Sequence, residues 1–317
     1  MRHIGNVVYS QGYQGFESLR LRQIKSQKKL DNLDFSSIFD LIIKKRTRKK
    51  DFHMIPDIKQ AKELFTPIGF SPYSSTYIVT NEDLRDSLQY MPKNTDTALT
   101  VAASGDHPLF ATLYGAKHVD TFDITFNAKL IMDIKTNALS LLKYKEYCQL
   151  LEDLHNCNDI TSVKNTAPII KNLNQFEQRY IIAMHGNALF NKENYIDPLS
   201  LPMKKEFTKL QKIIKEPFNF IWSDIQILHE KLTKNYDFMH LSNVLDYINV
   251  SDSAKILYTL TQHVNPGGIV CFEAIVHGPE RMYVIYNRLN NFFWKDTNQS
   301  WEFCRKAPML YVMRRVK

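Results

Sequence analysis

Long apolar runs are missing from this sequence: none reaches the roughly 18–20 residues that a bilayer-spanning helix needs. The opening residues, MRHIGNVVYSQGYQGF, lack the extended apolar stretch of a secretory leader, so a cytoplasmic protein is expected. Cysteine is scarce. The four cysteines (Cys148, Cys157, Cys271 and Cys304) include no CxxC pair and are expected to be reduced thiols. No HxxxH pair or Cys/His group has metal-ligand spacing, so no metal is expected. The GxSxG elbow of serine hydrolases is absent too. So are internal repeats and low-complexity tracts.

What is present is a globular composition. Of 317 residues, 44% are hydrophobic and 12% aromatic, enough to bury a full core in one large domain or two modest ones. The net charge of +8 suits either a solvated lysine-rich surface or an anionic partner such as phosphate, nucleic acid or an acidic membrane.

Periodicity divides the chain in two. Residues 1–97 combine a helical pattern from Phe16 to Lys50 with an aromatic loop from Thr66 to Tyr77. The helical part ends in KKRTRKK, where cations suit a helix C-terminus and would also suit peripheral docking at an anionic membrane. Each basic residue there would add about 1 kcal/mol at such a surface.

From residue 98 to 317 short apolar segments alternate with helical ones. Strands are expected at Ala98 to Ala102, His118 to Phe122, Phe218 to Trp222 and Tyr236 to Leu241. Asn265-Pro266-Gly267-Gly268 should turn tightly into another, Ile269 to Val276, and Trp301 to Cys304 with Met309 to Met313 should form a closing hairpin. Helices are expected from His107 to Tyr114, after Ser223-Asp224 over IQILHEKL, and after Ser242-Asn243. The alternation predicts an α/β fold with a parallel, doubly wound, Rossmann-like sheet of seven strands, the last antiparallel. A helical insertion, about 137–215, separates the second and third strands and could cover a ligand.

Ligands of such sheets sit beyond the carboxyl ends of the strands. The first turn here, Ala103-Ser104-Gly105-Asp106, has one glycine where a dinucleotide site has several. A carboxylate at the helix mouth would repel a pyrophosphate but could accept hydrogen bonds from an ammonium group. That chemistry points to a zwitterionic nucleoside, S-adenosylmethionine. Asp123, at the end of the second strand, is placed to bind ribose hydroxyls, with Ile124 beside it. Asp224, after Ser223 and before Ile225, would meet an adenine amino group, unless it only caps the helix that follows.

The stretch TVAASGDHPLFATLYGAKHVDTFDITFNAKLIMDIKTNALSLLKYKEY resembles the core of the betaine-lipid synthase family, S-adenosylmethionine-dependent 3-amino-3-carboxypropyl transferases that act on diacylglycerol. Its Ser-x-Gly-Asp-like turn corresponds to Ala103 to Asp106. Its Asp-x-Asn-like strand end corresponds to Asp123 with Asn127, and a Leu-rich helix to Leu141 to Tyr147. HLSNVLDYI, from His240 to Ile248, is similar to a second family segment. The likeness covers about 75–155 and 215–275. It departs at His107, where a smaller or amide residue is expected, and in a length shorter than the family's lipid-synthesising members.

The resemblance implies attack on the γ-carbon beside the sulfonium, releasing methylthioadenosine, with a lipid such as diacylglycerol or a small polar metabolite as acceptor. An alcohol acceptor needs a general base. Candidates are His240, Asp246 and Tyr247 at or after the fourth strand, and His185 in IIAMHGNALF from the insertion. Tyr77, His107, Ser242 and Asn243 complete the expected cofactor site. Two other readings stand beside it: a methyltransferase on RNA or a small molecule, and a non-catalytic nucleoside-binding module. Nucleic acid is the less favoured partner.

Overall fold

A computed structural model describes residues 58–66, 71–191, 200–275, 278–295, 297 and 299–316. The expected helical stretch from Phe16 to Lys50, with KKRTRKK, lies outside these residues. Among the described residues no helix is long and apolar enough to cross a membrane.

In chain order the described elements open with α1 (Ile58–Leu64), β1 (Thr76–Tyr77) and α2 (Leu84–Leu88), followed by β2 (Thr97–Val101), α3 (Asp106–Leu113) and β3 (His118–Asp123). Next come α4 (Phe126–Leu141), α5 (Tyr144–Asn156), α6 (Thr166–Asn172), α7 (Gln175–Ala183), β4 (Phe190–Asn191) and α8 (Lys204–Ile213). The chain closes with β5 (Asn219–Trp222), β6 (Tyr236–His240), α9 (Val250–Thr261), β7 (Val264–Glu273), α10 (Gly278–Arg288), β8 (Trp301–Arg305) and β9 (Leu310–Arg315).

Seven strands form one sheet in the order β5-β3-β2-β6-β7-β9-β8. The first five run parallel, and β9 is antiparallel to both β7 and β8. This is the Rossmann-like α/β sheet expected from the alternation, with order reversing at β2. β2 reads Thr-Ala-Leu-Thr-Val because both of its faces are covered. Ala98, Phe238, Cys271 and Val312 pack in one core with residues of α3 to α8, and Leu99, Val101, Met239 and Val270 in another with residues of α9 and α10.

The stretch between β3 and β5 is largely helical, α4 to α8. Lys209 of α8 donates to the Leu113 carbonyl at 2.6 Å and Gln211 to the Leu139 carbonyl at 2.7 Å, so α8 closes the last turns of α3 and α4. Within it, β4 pairs in parallel with β1, Thr76 facing Phe190 and Tyr77 facing Asn191.

Two expectations are corrected, and one helix is added. IQILHEKL forms turns and a short 3-10 segment at Leu228–Glu230 instead of an α-helix. There Asp224 closes a local turn on the Gln226 amide at 2.9 Å. Asn265-Pro266-Gly267-Gly268 lies inside β7 as an irregularity in its pairing with β6. A Cβ on Gly268 would stand 2.8 Å from the Asn265 carbonyl. Helix α10, which the periodicity did not suggest, follows β7 before the closing hairpin.

Candidate functional site

The crossover from β2 to α3 is built around one close approach. Gly105 has φ +81, and a Cβ there would lie 2.7 Å from Cα of Met132 on α4. Glycine is therefore needed twice, for its conformation and for its missing side chain. Ala103 also adopts a positive φ of 44 while carrying a methyl group.

Asp106, at the first position of α3, is buried and fully engaged. Its Oδ1 meets Lys135 Nζ at 2.5 Å. Its Oδ2 accepts from Ser104 Oγ at 2.7 Å and from the Thr80 amide at 2.8 Å. Lys135 is itself at 0% exposure, and burial pushes its ammonium below the usual lysine range against the opposing pull of Asp106. This corrects the expected role of Asp106 as acceptor for a ligand ammonium: its charge is answered from within. Lys135 was missed in the sequence, where it is one lysine of an amphipathic helix.

Residues 71–82 lie across the ends of β2 and β3. Ser74 accepts at its carbonyl from Thr125 Oγ1 at 2.6 Å and Asn127 Nδ2 at 2.9 Å. Thr76 Oγ1 donates to the Ala103 carbonyl at 3.1 Å. Tyr77 follows, half-buried in β1.

Asp123 ends β3 and joins the two crossovers. Its Oδ2 accepts from the Ala103 amide at 2.9 Å and its Oδ1 from the Thr125 amide at 3.0 Å. Burial pushes the carboxyl up to about 6, against the lowering effect of the backbone bonds from Thr125 and Ala103. The Ile124 amide donates to the carboxylate as well, so about one of its four acceptor sites is left for a further donor. On the neighbouring strand, the Ser223 amide donates to the Asp123 carbonyl at 3.0 Å, and Trp222 Nε1 to the Ile124 carbonyl at 2.6 Å. Asp224 is partly exposed, whereas Ile225 is buried in the core and offers no ligand surface.

The second half of the site surrounds the end of β6. His240 is at 0% exposure, and burial and the His107 ring depress it to about 3. Ser242 follows at φ +54 and donates its hydroxyl to Glu82. The other Glu82 oxygen stands 3.1 Å from His107 Nε2. Burial pushes the Glu82 carboxyl up, yet the His107 and Ser242 bonds and the nearby histidines hold it below the ordinary value. Asn243 Nδ2 donates to the Tyr247 hydroxyl at 3.4 Å, and Tyr247 is 52% exposed. Asp246 accepts from the Ile275 amide at 2.6 Å and so positions the loop after β7. Glu273 ends β7, its amide donating to the Ser242 carbonyl at 2.8 Å. Burial, together with the charges of Glu82, Asp83, Asp86 and Asp246, pushes its carboxyl up to about 8.

The structure thus gathers Ala103 to His107, Asp123, Ser223, Ser242 and Asn243 along one edge of the sheet. His185 stands apart from them: it is half exposed and paired with Asp159 at 2.8 Å. Glu82 and Glu273 were missed as site residues; Glu82 had a signal in the acidic Asn81-Glu82-Asp83 before the first strand, and Glu273 had none.

No protein-family model matches the chain, and no curated protein matches it in sequence. Among solved structures it is similar to a ribosomal protein L11 methylase from Lactobacillus delbrueckii subsp. bulgaricus, at 12% identity and a TM-score of 0.36 over 73% of this chain and 75% of that one. It is also similar to the N-methyltransferase NodS from Bradyrhizobium japonicum WM9, at 11% identity and a TM-score of 0.36 over 74% and 90%. A protein described as a putative rRNA-methylase from Clostridium thermocellum gives 10% identity and a TM-score of 0.39 over 75% and 98%.

Proposed function

We propose that this chain is an S-adenosylmethionine-dependent transferase that moves the 3-amino-3-carboxypropyl group to a hydroxyl or amine acceptor and releases methylthioadenosine. The observation that carries the nucleoside part is the filled mouth of α3. Residues 76–82 cover it, and its own carboxylate is neutralised by buried Lys135. A pyrophosphate would need open, uncharged space at that helix N-terminus, while a nucleoside needs only the strand ends. The transferred group is inferred from the resemblance of residues 100 to 147 to betaine-lipid synthases.

In this reading Asp123 accepts from a ribose hydroxyl with the acceptor site its three backbone bonds leave over. Trp222, Ser223 and Asp224 border the adenine, and Tyr77 closes over it. When bound, S-adenosylmethionine supplies an electrophilic carbon on its sulfonium. The acceptor lies beyond β6 and β7, where a base has to hold its proton. His240 is too deeply buried to serve. Glu273 suits the task better: it is half-buried at a strand end, with a carboxyl near 8 that exchanges protons around neutrality. A lipid such as diacylglycerol and a small polar metabolite are both compatible acceptors, and peripheral docking at an anionic membrane belongs to the lipid case.

The test is to incubate the protein with S-adenosylmethionine and a cell extract and to identify the released nucleoside by mass spectrometry. Methylthioadenosine is the expected product. S-adenosylhomocysteine would replace this reading with a methyltransferase, and cofactor binding without turnover would replace it with a binding module.

A further inference from the structure

Three buried side chains that are distant in sequence meet beneath the strand ends. Glu82 comes from the loop before α2, His107 from the first turn of α3, and His240 from the last position of β6. One ligand atom from each lies within 4.8 Å of the others. The Glu82 and His107 side chains are 3% and 2% exposed, and His240 is at 0%. Both ring nitrogens of His240 and Nδ1 of His107 have no hydrogen-bond partner among the described residues. Leaving a buried ring such as that of His240 wholly unsatisfied costs free energy unless something binds it.

The geometry and the donor set point to one kind of occupant. Two imidazole nitrogens and a carboxylate oxygen are the ligands of three-residue sites for zinc and related divalent ions. Bonds of about 2.0–2.1 Å in a tetrahedron place ligand atoms about 3.3–3.4 Å apart. The Glu82 and His107 atoms are already 3.1 Å apart, and closing His240 onto an ion takes a shift on the order of an ångström. Ser242 donates to the second oxygen of Glu82, which fixes the carboxylate with its other oxygen toward His107. Metal-ligating carboxylates are commonly held in that way.

We propose that Glu82, His107 and His240 bind a divalent transition-metal ion of the zinc class, with water as a fourth ligand. Spacing along the chain could not reveal the site, because each ligand comes from a different element.

The test uses the full-length protein stripped with a chelator and titrated separately with Zn²⁺ and Co²⁺. Metal content is read by mass spectrometry, and Co²⁺ coordination by its visible absorption. The expected result is one ion per chain, with a Co²⁺ spectrum typical of four or five ligands. Ser242→Ala keeps all three ligands and should weaken binding by about 10- to 100-fold. Glu82→Gln and His240→Ala should weaken it beyond that range, while exposed His118→Ala should leave it unchanged. Stripped wild-type protein that stays folded by circular dichroism and takes up no ion would overturn the proposal. So would uptake that is equal in wild type and Ser242→Ala. Neither outcome depends on whether the ligand variants fold.

Discussion

At residue scale, Gly105 and Asp123 make the sharpest predictions. Gly105→Ala forces a methyl group into a left-handed conformation and against the backbone of Met132. The expected loss is about 3 kcal/mol of stability, read as a lower urea midpoint with an unchanged slope. For Asp123 the prediction concerns ligand binding. In the proposed site a ribose hydroxyl donates to the ionised carboxylate, whose proton comes off at about 6. S-adenosylmethionine affinity should therefore hold above pH 6 and fall about tenfold per unit as pH drops well below it. In Asp123→Asn, calorimetric titration should show weak binding with little dependence on pH; a wild-type affinity flat from pH 7 to 5 would sink the assignment.

At the scale of elements, the turn into α3 depends on α4 through one buried ion pair. Lys135→Met leaves Asp106 charged and unpaired in the core, with an expected cost of about 3–5 kcal/mol. Lys135→Met combined with Asp106→Asn should recover part of that loss, a non-additivity that a double-mutant cycle in urea measures. A second buried group sets a pH dependence. Burial and neighbouring Glu177 push Asp133 of α4 up to about 8, against the attraction of Lys129. Its folded value lies above its ordinary 3.8, so the stability it lends is full at acid pH and is lost as pH rises toward 8. Melting temperatures from pH 5 to 8 should fall less steeply in Asp133→Asn than in wild type.

These same elements show how far the sequence could be read. The strands were legible because parallel strands buried on both faces are short apolar runs between turn formers, as β2 and β6 are. The Ala103 to Asp106 turn and Asp123 were legible from their spacing. Lys135 was not, since nothing local distinguishes a lysine destined for the core from its exposed neighbours. Glu273 was not either: its environment comes from Glu82, Asp83, Asp86 and Asp246, which the fold brings together from across the chain. IQILHEKL has helical spacing but follows the turn that Asp224 closes, and only a short 3-10 segment forms.

At the scale of the whole molecule, segments 71–82 and 189–191 act as one cover. β1 pairs with β4, and Thr76 of β1 bonds the first crossover at Ala103. If ligand binds beneath this cover, hydrogen exchange should slow together in residues 74–82, 103–107 and 190–191, and hardly at all in β8 and β9. Protection confined to 103–107 would mean that the cover is a fixed part of the scaffold.

The pairing of β1 with β4 also bears on how the molecule is made. When Thr76 leaves the ribosome, more than a hundred residues must still be translated before Phe190 can reach it. At about 5–20 residues per second, that wait is on the order of ten seconds. The β3 edge waits in the same way for β5. Nascent chains arrested between residues 130 and 180 are therefore expected to carry open strand edges, the kind of surface a chaperone protects.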